Sequence, residues 1–318
     1  MPTVLITGGT GMIGTALSRH LLNEGYNVII LSRNPRETAV RHDLGTERRI
    51  FRSSGKLFYS RWDINKMTID TTALKEADYV VHLAGAGVAD KRWTEDRKKE
   101  ILESRTKSSA LLLKCLQNNP NKVKAVISAS AIGWYGPDNG KTFTEDDPAA
   151  NDFLGQTCVA WENSIQPVAD LGKRLVKLRL GIVLSNEGGA LKEFKKPLAL
   201  GVAAILGDGK QVTSWVHIDD LCRAFTFAIE DNSLEGVYNL TAPNPVDNRT
   251  LTLTLAEKRN GKAFLPFRVP SSFLKVALGE MSVEILKSAT VNSDKIQKAG
   301  FRFLYPTIDS AIKNLTGK

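Results

Sequence analysis

The run TGGTGMIG at residues 7–14 places glycines at 8, 11 and 14 between an apolar, strand-like segment, TVLIT, and an amphipathic helical one. That arrangement suits an anion. Gly8 permits a tight turn, Gly11 lets backbone N–H groups approach a pyrophosphate, and Gly14 lets helix and strand pack closely. Thr10, Met12 and Ile13 complete the turn and the first helical residues, where unpaired N–H groups and the positive dipole end attract phosphate. At the end of the next strand, IILSRNP sets Ser32 where a site for NAD carries an acid, with Arg33 beside it. A carboxylate there accepts from a ribose 2′-hydroxyl and repels a 2′-phosphate, whereas a hydroxyl and a guanidinium attract the phosphate. The pattern favours NADP(H) over NAD(H).

Further residues fit the same cleft. Asp63, in SRWDI, is placed to accept from an adenine amine, and Leu83, Ala84 and Gly85 leave room for a cofactor after a later strand. Arg105 shares the inward stripe of a long helix with Ile101, Ser104, Ser108 and Leu112. An arginine on that stripe needs an anion, and either a cofactor phosphate or Glu100 would supply it. Backbone near Gly181 and Val183 is expected to line the nicotinamide end, with GGAL (188–191), Lys192 and the GDGKQ turn on the substrate side. Cys115, Cys158 and Cys222 lack CxxC spacing, and His20, His42 and His82 lack ligand-like spacing, so neither a disulfide framework nor a metal site is expected.

The elements that position these residues alternate through the first 180 or so. Strands are expected at 3–7, 27–32, 56–60, 79–85, 124–130 and 175–181, mostly as continuous apolar runs of the kind buried on both faces. Helices lie between them, one closing at Gly25 and a long one running from about Trp93 to Asn118. The implied fold is α/β, a Rossmann-type doubly wound parallel sheet with a smaller C-terminal, substrate-side domain. Residues 1–182 form the dinucleotide-binding domain, rejoined by about 210–240, where SWVHIDDLCRAFTFAIED reads as another strand-to-helix unit. Residues 183–209 and 241–318, broken by Gly and Pro, form the smaller part.

Composition bounds the rest. The chain has 318 residues, 42% hydrophobic and 24% charged, with no apolar stretch that would span a bilayer and no basic leader before the first strand. A cytoplasmic protein without membrane association is expected. The net charge of +9 is densest at Arg41, Arg48, Arg49, Arg52, Lys56 and Arg61, but acids interrupt the cluster and no aromatic platform accompanies it. Attraction of a small anion is the expected use, with no nucleic-acid partner. The sequence leaves the oligomeric state open.

GGTGMIG, HLAGA, SASAIGWYG and SWVHIDDL together resemble the extended short-chain dehydrogenase/reductases, the class of the nucleotide-sugar epimerases. LSRNP, TCVAWE, LRLGIVL and the C-terminal GFRFLYPT resemble an atypical branch of it, the "epimerase family", over nearly the whole chain. In active members of the class a serine orients the substrate oxygen, a tyrosine exchanges the proton, and a lysine four residues later lowers the tyrosine's pKa. The resemblance puts the serine at Ser130, but in LGQTCVAWE (154–162) it puts Leu154 at the tyrosine and Cys158 at the lysine. Leu154, Cys158, Trp161, Ile165 and Val168 form one apolar stripe, as core packing requires. Tyr135, in a loop expected to face the nicotinamide, is the candidate substitute acid, and His217 and Asp219 fit a helix-capping role. Two readings follow: an NADP(H)-dependent oxidoreductase or epimerase-like protein acting on an unidentified carbonyl or sugar-like small molecule, or an inactive NADP(H)-binding sensor or partner-binding protein.

Overall fold

A computed structural model of the chain describes residues 1–35, 55–138 and 140–317. Its centre is an eight-stranded sheet. Its strands are β1 (Thr3–Thr7), β2 (Asn27–Ser32), β3 (Leu57–Asp63), β4 (Thr68–Ile69), β5 (Tyr79–His82), β6 (Ala125–Ala131), β7 (Arg174–Leu180) and β8 (Gly236–Leu240), in the order β8-β7-β6-β5-β1-β2-β3-β4. All neighbours are parallel except the edge strand β4, which is antiparallel to β3. The chain order reverses between β1 and β5, so the carboxyl ends of these two strands flank the crevice where ligands bind in open α/β sheets.

Alternation along the strands builds two cores. Val4, Ile6, Val28, Ile30, Ile127 and Val176 face one side, under α1 (Met12–Asn23) and a helix at Ile218–Glu230, which contribute Leu17, Leu21, Leu221 and Phe225. Leu5, Ile29, Leu31, Val80, Val126 and Leu175 face the other, under the long helix Glu95–Asn118 with its Leu111, Leu112 and Leu116. Burial on both faces explains why these strands read as unbroken apolar runs. A third core, built on Leu184, Leu191, Trp215, Leu251, Leu255, Ile308 and Ile312, belongs to the C-terminal region and its three two-stranded sheets.

One expectation about connectivity needs correcting. The strand of the 214–231 unit, Trp215–His217, does not enter the main sheet; it pairs with Ile182–Leu184 in a separate two-stranded sheet. Val216 of that strand and the helix after it pack on the main core, and the strand that extends the sheet is β8, which follows that helix. His217 and Asp219 mark the junction: His217 Nδ1 accepts from the Asp219 N–H at 3.1 Å and caps the helix. Burial lowers the His217 pKa, and its ring lies 3.9 Å from that of Tyr305. Next to it, the fully buried Asp220 accepts from the N–H groups of Leu304 and Tyr305 and ties down the C-terminal segment. Of the basic cluster, Arg41, Arg48, Arg49 and Arg52 lie outside the described residues. Among the described residues no helix is long and apolar enough to cross a membrane, and no group of three His, Cys, Asp or Glu side chains is gathered as for a metal ion.

Candidate functional site

The glycine turn lies at the carboxyl end of β1. Gly8 has φ +69°, and a Cβ on it would stand 2.8 Å from the Leu83 carbonyl carbon at the end of β5. Gly14 is buried, and a Cβ there would come within 2.4 Å of the Gly8 oxygen, so helix and turn meet only because the side chain is missing. Gly11 differs. Its Cβ would have one protein neighbour within 4 Å, the Gly8 oxygen at 3.5 Å, and would otherwise occupy the exposed mouth of the turn beside Thr10. Gly11 also N-caps α1 without a side-chain hydrogen bond, whereas Thr94, Asp152 and His217 cap their helices with side chains. The first N–H groups of α1, at Met12, Ile13 and Gly14, are therefore left to an external acceptor. The turn fits a dinucleotide pyrophosphate.

The flanking residues are arranged around it. Ser32 ends β2, buried, with its Oγ accepting from the Asn34 N–H at 3.2 Å, and Arg33 follows on the surface. Asp63 ends β3, where its Oδ1 accepts from the N–H groups of Asn65 and Lys66, so one carboxylate oxygen is committed to its own turn. On the far side, the Met12 side chain lies against Gly188 and Gly189, where added Cβ atoms would stand 3.3 Å from its Sδ and Cε respectively. Glu187 pairs with Arg19 of α1, and Val183 is half-buried against the main core.

The ends of β1 and β5 are locked together by a network absent from the sequence reading. Thr7 Oγ1 accepts from the N–H groups of Leu83 and Ala84, which turns its own hydrogen toward His82 Nδ1 at 2.8 Å. His82 Nε2 then carries the proton and faces Ser109 Oγ at 3.1 Å, and Ser109 donates onward to the Arg105 carbonyl. Burial lowers the His82 pKa to about 4, so the ring is neutral and serves as a strut.

Beyond β5, at the ends of β6 and β7, lies the corner that holds Ser130. Its Oγ donates to Glu162 Oε1 at 2.6 Å. Arg179 grips the same carboxylate through Nε (2.8 Å) and through its second terminal nitrogen (3.1 Å), while its Cζ lies 3.6 Å from the centroid of the Trp134 ring. Burial works against the Arg179 charge, but Glu162 and Tyr135 more than offset it and raise its pKa. The Tyr135 hydroxyl donates to Asn239 Oδ1 at 2.7 Å and accepts from Arg179 at 3.1 Å. Tyr135 does not face the cleft as expected of a substitute acid. It is fully buried, stacked on Phe143, and burial pushes its phenol up to about 12.

Leu154 and Cys158 line the other wall, on the helix Phe153–Ile165. A Cβ on Gly133, in the turn after Ser130, would lie 3.2 Å from Leu154 Cβ and 3.8 Å from Cys158 Sγ. Leu154, half-buried, packs against the cluster of Trp93, Ile101 and Met281, which Leu278 and Ile285 of the C-terminal region also join. Cys158 is buried, its Sγ 3.6 Å from the Ala131 carbonyl oxygen, and burial pushes its thiol up to about 12. It is neither a thiolate nor a cation near neutral pH.

Arg105 and Glu100 are not partners. Glu100 pairs with Arg97 at 2.6 Å, while Arg105 sends one terminal nitrogen to the carbonyls of Ala86 (3.0 Å) and Ile101 (2.8 Å). Its guanidinium lies against Gly85, whose Cβ would be 3.1 Å from Cζ, and 4.9 Å from the Trp161 ring centroid.

Glu162, Arg179 and Asn239 are the polar residues that sequence reasoning passed over. A signal was present: after Arg174 at its start, the strand is apolar except for Lys177 and Arg179, which sit two apart on one face and so require an acid. Lys177 Nζ is 3.9 Å from Glu162 Oε2.

A family model described as NAD dependent epimerase/dehydratase family matches residues 4–241, spanning the main sheet and the Ser130 corner. The chain belongs to that family. A second model, Domain of unknown function (DUF1731), matches residues 269–315, which include Leu278, Met281 and Ile285 of the cluster that Leu154 joins. The epimerase family protein YfhF of Bacillus subtilis is 35% identical over 313 residues, covering 98% of this chain and 97% of its own. The epimerase family protein SSP1921 of Staphylococcus saprophyticus is 35% identical over 316 residues, covering 99% of each chain. Among solved structures, a human epimerase family protein, SDR39U1, crystallised with NADPH, superposes with a TM-score of 0.84 at 28% identity, covering 99% of each chain.

Proposed function

We propose that this protein binds NADP(H) and does not carry out tyrosine-dependent hydride chemistry, acting instead as a dinucleotide-binding sensor or partner-binding protein. The observation that carries this reading is the Ser130 corner. Ser130 is hydrogen-bonded to Glu162, Glu162 is clamped by Arg179, and the places of the tyrosine and lysine hold Leu154, packed against apolar side chains, and Cys158, a buried neutral thiol. Tyr135, the one phenol near the serine in sequence, spends its hydroxyl on Asn239 and Arg179. Among the described residues, Ser130 is bonded to Glu162, and Tyr135 and Cys158 are buried with raised pKa values, which disfavours proton exchange with a substrate oxygen.

The binding half of the reading rests on the uncapped start of α1 and on the end of β2. The first-turn N–H groups would hold the pyrophosphate, and Ser32 with Arg33 would hold the 2′-phosphate. Asp63 keeps one carboxylate oxygen for an adenine amine. NADP(H) brings the nicotinamide hydride that the wider family uses. The NADPH bound to the human relative supports this choice over the NAD in the family's description.

The test is to titrate the protein with NADPH by cofactor fluorescence and then follow NADPH oxidation against a panel of aldehydes, ketones and sugar nucleotides. Binding without oxidation is expected. Oxidation of NADPH against any of these compounds would overturn the non-catalytic half, its loss in Tyr135→Phe would assign the proton to that phenol, and failure to bind NADPH would overturn the whole.

A further inference from the structure

We infer that Arg105 is the anion-binding residue of a second ligand site, beside the dinucleotide cleft, for a small molecule carrying a carboxylate or phosphate group. The inference rests on the NADP(H) reading above, because it depends on where the cofactor's own charges go. NADP(H) carries a pyrophosphate and a 2′-phosphate. The start of α1 and the end of β2 account for both, and these lie at β1 and on its β2 side. Arg105 lies on the opposite side of β1, against Gly85 after β5 and against Trp161 and Cys158 beside β6. No cofactor phosphate remains for it.

Arg105 is about nine-tenths buried, at 9% relative exposure, yet no carboxylate pairs with it among the described residues. Buried cations are ordinarily paired, because an unpaired one loses its hydration without recompense. The charged and titratable groups that act on it are Cys158, a neutral thiol, and Arg97, a like charge. One terminal nitrogen is used on the Ala86 and Ile101 carbonyls. The other guanidinium nitrogens make no hydrogen bond among the described residues, and neither is sealed from solvent. The absence of a side chain on Gly85 lets the guanidinium lie against the backbone after β5, where a Cβ would stand 3.1 Å from Cζ, and the Trp161 indole N–H close by is buried without an acceptor. A preformed cation, held on one edge and open on another, is the geometry for a carboxylate or phosphate oxygen. Cys158 beside it is a neutral thiol; an ammonium at that position would face both Arg105 and Arg179.

The test uses the full chain saturated with NADPH and titrates it calorimetrically with pyruvate and, separately, inorganic phosphate, for wild type, Arg105→Met and Arg105→Lys. At least one of the two anions should bind wild type. Arg105→Met should weaken it about tenfold or more, as loss of a charge-assisted contact does. Arg105→Lys should retain part of the affinity, and it reads the same site if the methionine variant unfolds. The ratio of pyruvate to phosphate affinity separates the two anion types. The inference is overturned if neither anion binds wild type, if Arg105→Met binds it unchanged, or if Arg105→Met weakens NADPH itself by a similar factor, which would assign the guanidinium to a cofactor phosphate. If wild type fails to bind NADPH, the cofactor reading fails, and the same anion titrations on unloaded protein still decide for or against Arg105.

Discussion

Replacing Glu162 by Gln removes a charge and keeps the shape, which isolates the ion pair at the centre of the Ser130 corner. The Glu162 and Arg179 side chains are 5% and 3% exposed and meet at 2.8 Å. Removing one partner of so buried a pair costs about 3–5 kcal/mol, mostly for the charge left behind. The lower end applies here, because the Trp134 ring stays against the guanidinium and Tyr135 still accepts from it. Glu162→Gln is therefore expected to lose about 3 kcal/mol, read from urea midpoints at unchanged m-value. Arg179→Met should cost a similar amount, and the double variant should be less unstable than the sum by about 2 kcal/mol or more. All three should still bind NADPH. Additivity within about 0.5 kcal/mol would show that the pair is not a coupled structural unit. Loss of NADPH binding at an unchanged midpoint would show that the carboxylate serves the ligand and not the fold.

Other expectations follow from single contacts. Gly14→Ala, whose Cβ would collide with the Gly8 oxygen at 2.4 Å, should lose both stability and NADPH affinity. Gly11→Ala meets nothing nearer than 3.5 Å and should keep its unfolding midpoint while NADPH affinity drops about tenfold, or ~1.4 kcal/mol. His82 has a folded pKa of about 4 against an ordinary 6.5, so the unfolded chain binds the extra proton first. Stability should fall as pH drops below about 6.5, by about 3 kcal/mol at pH 4, and the slope should flatten in His82→Asn when midpoints are compared across that range. Cys158→Lys buries an ammonium beside Arg105 and lowers its pKa, so the unfolded state again holds the proton more tightly. Its deficit against wild type should be several kcal/mol near neutral pH and shrink as pH rises toward ~10; a deficit that grows with pH would contradict this account.

The parts of the molecule legible in the sequence are those built from neighbours along the chain. The glycine turn, the apolar strands around it and the long helix are local patterns, and their bounds in the structure lie within a few residues of the periodicity. The strand at 215–217 was misplaced because three residues carry no period, and because β8, the strand that joins the sheet, is a mixed sequence, GVYNL. The corner was less legible still. Glu162, Arg179 and Asn239 come from a helix, a strand and a second strand far apart in the chain, and only their burial together makes them a unit. Tyr135 was expected to face the cleft from its nearness to Ser130, but the turn at 132–134 carries it away into a pocket with Phe143, Ala289 and Val291. Leu154 and Cys158 were read from spacing as core; Leu154 is half-buried against an apolar cluster, whereas Cys158 is buried but lies beside the charged Glu162, Arg105 and Arg179.

Ser32 and Arg33 carry the claim about the cofactor, and a paired fluorescence titration with NADPH and NADH tests it most directly. NADPH should bind about tenfold or more tightly than NADH, and Arg33→Ala should erase most of that difference while leaving NADH affinity unchanged. Equal affinities, or tighter binding of NADH, would contradict the account.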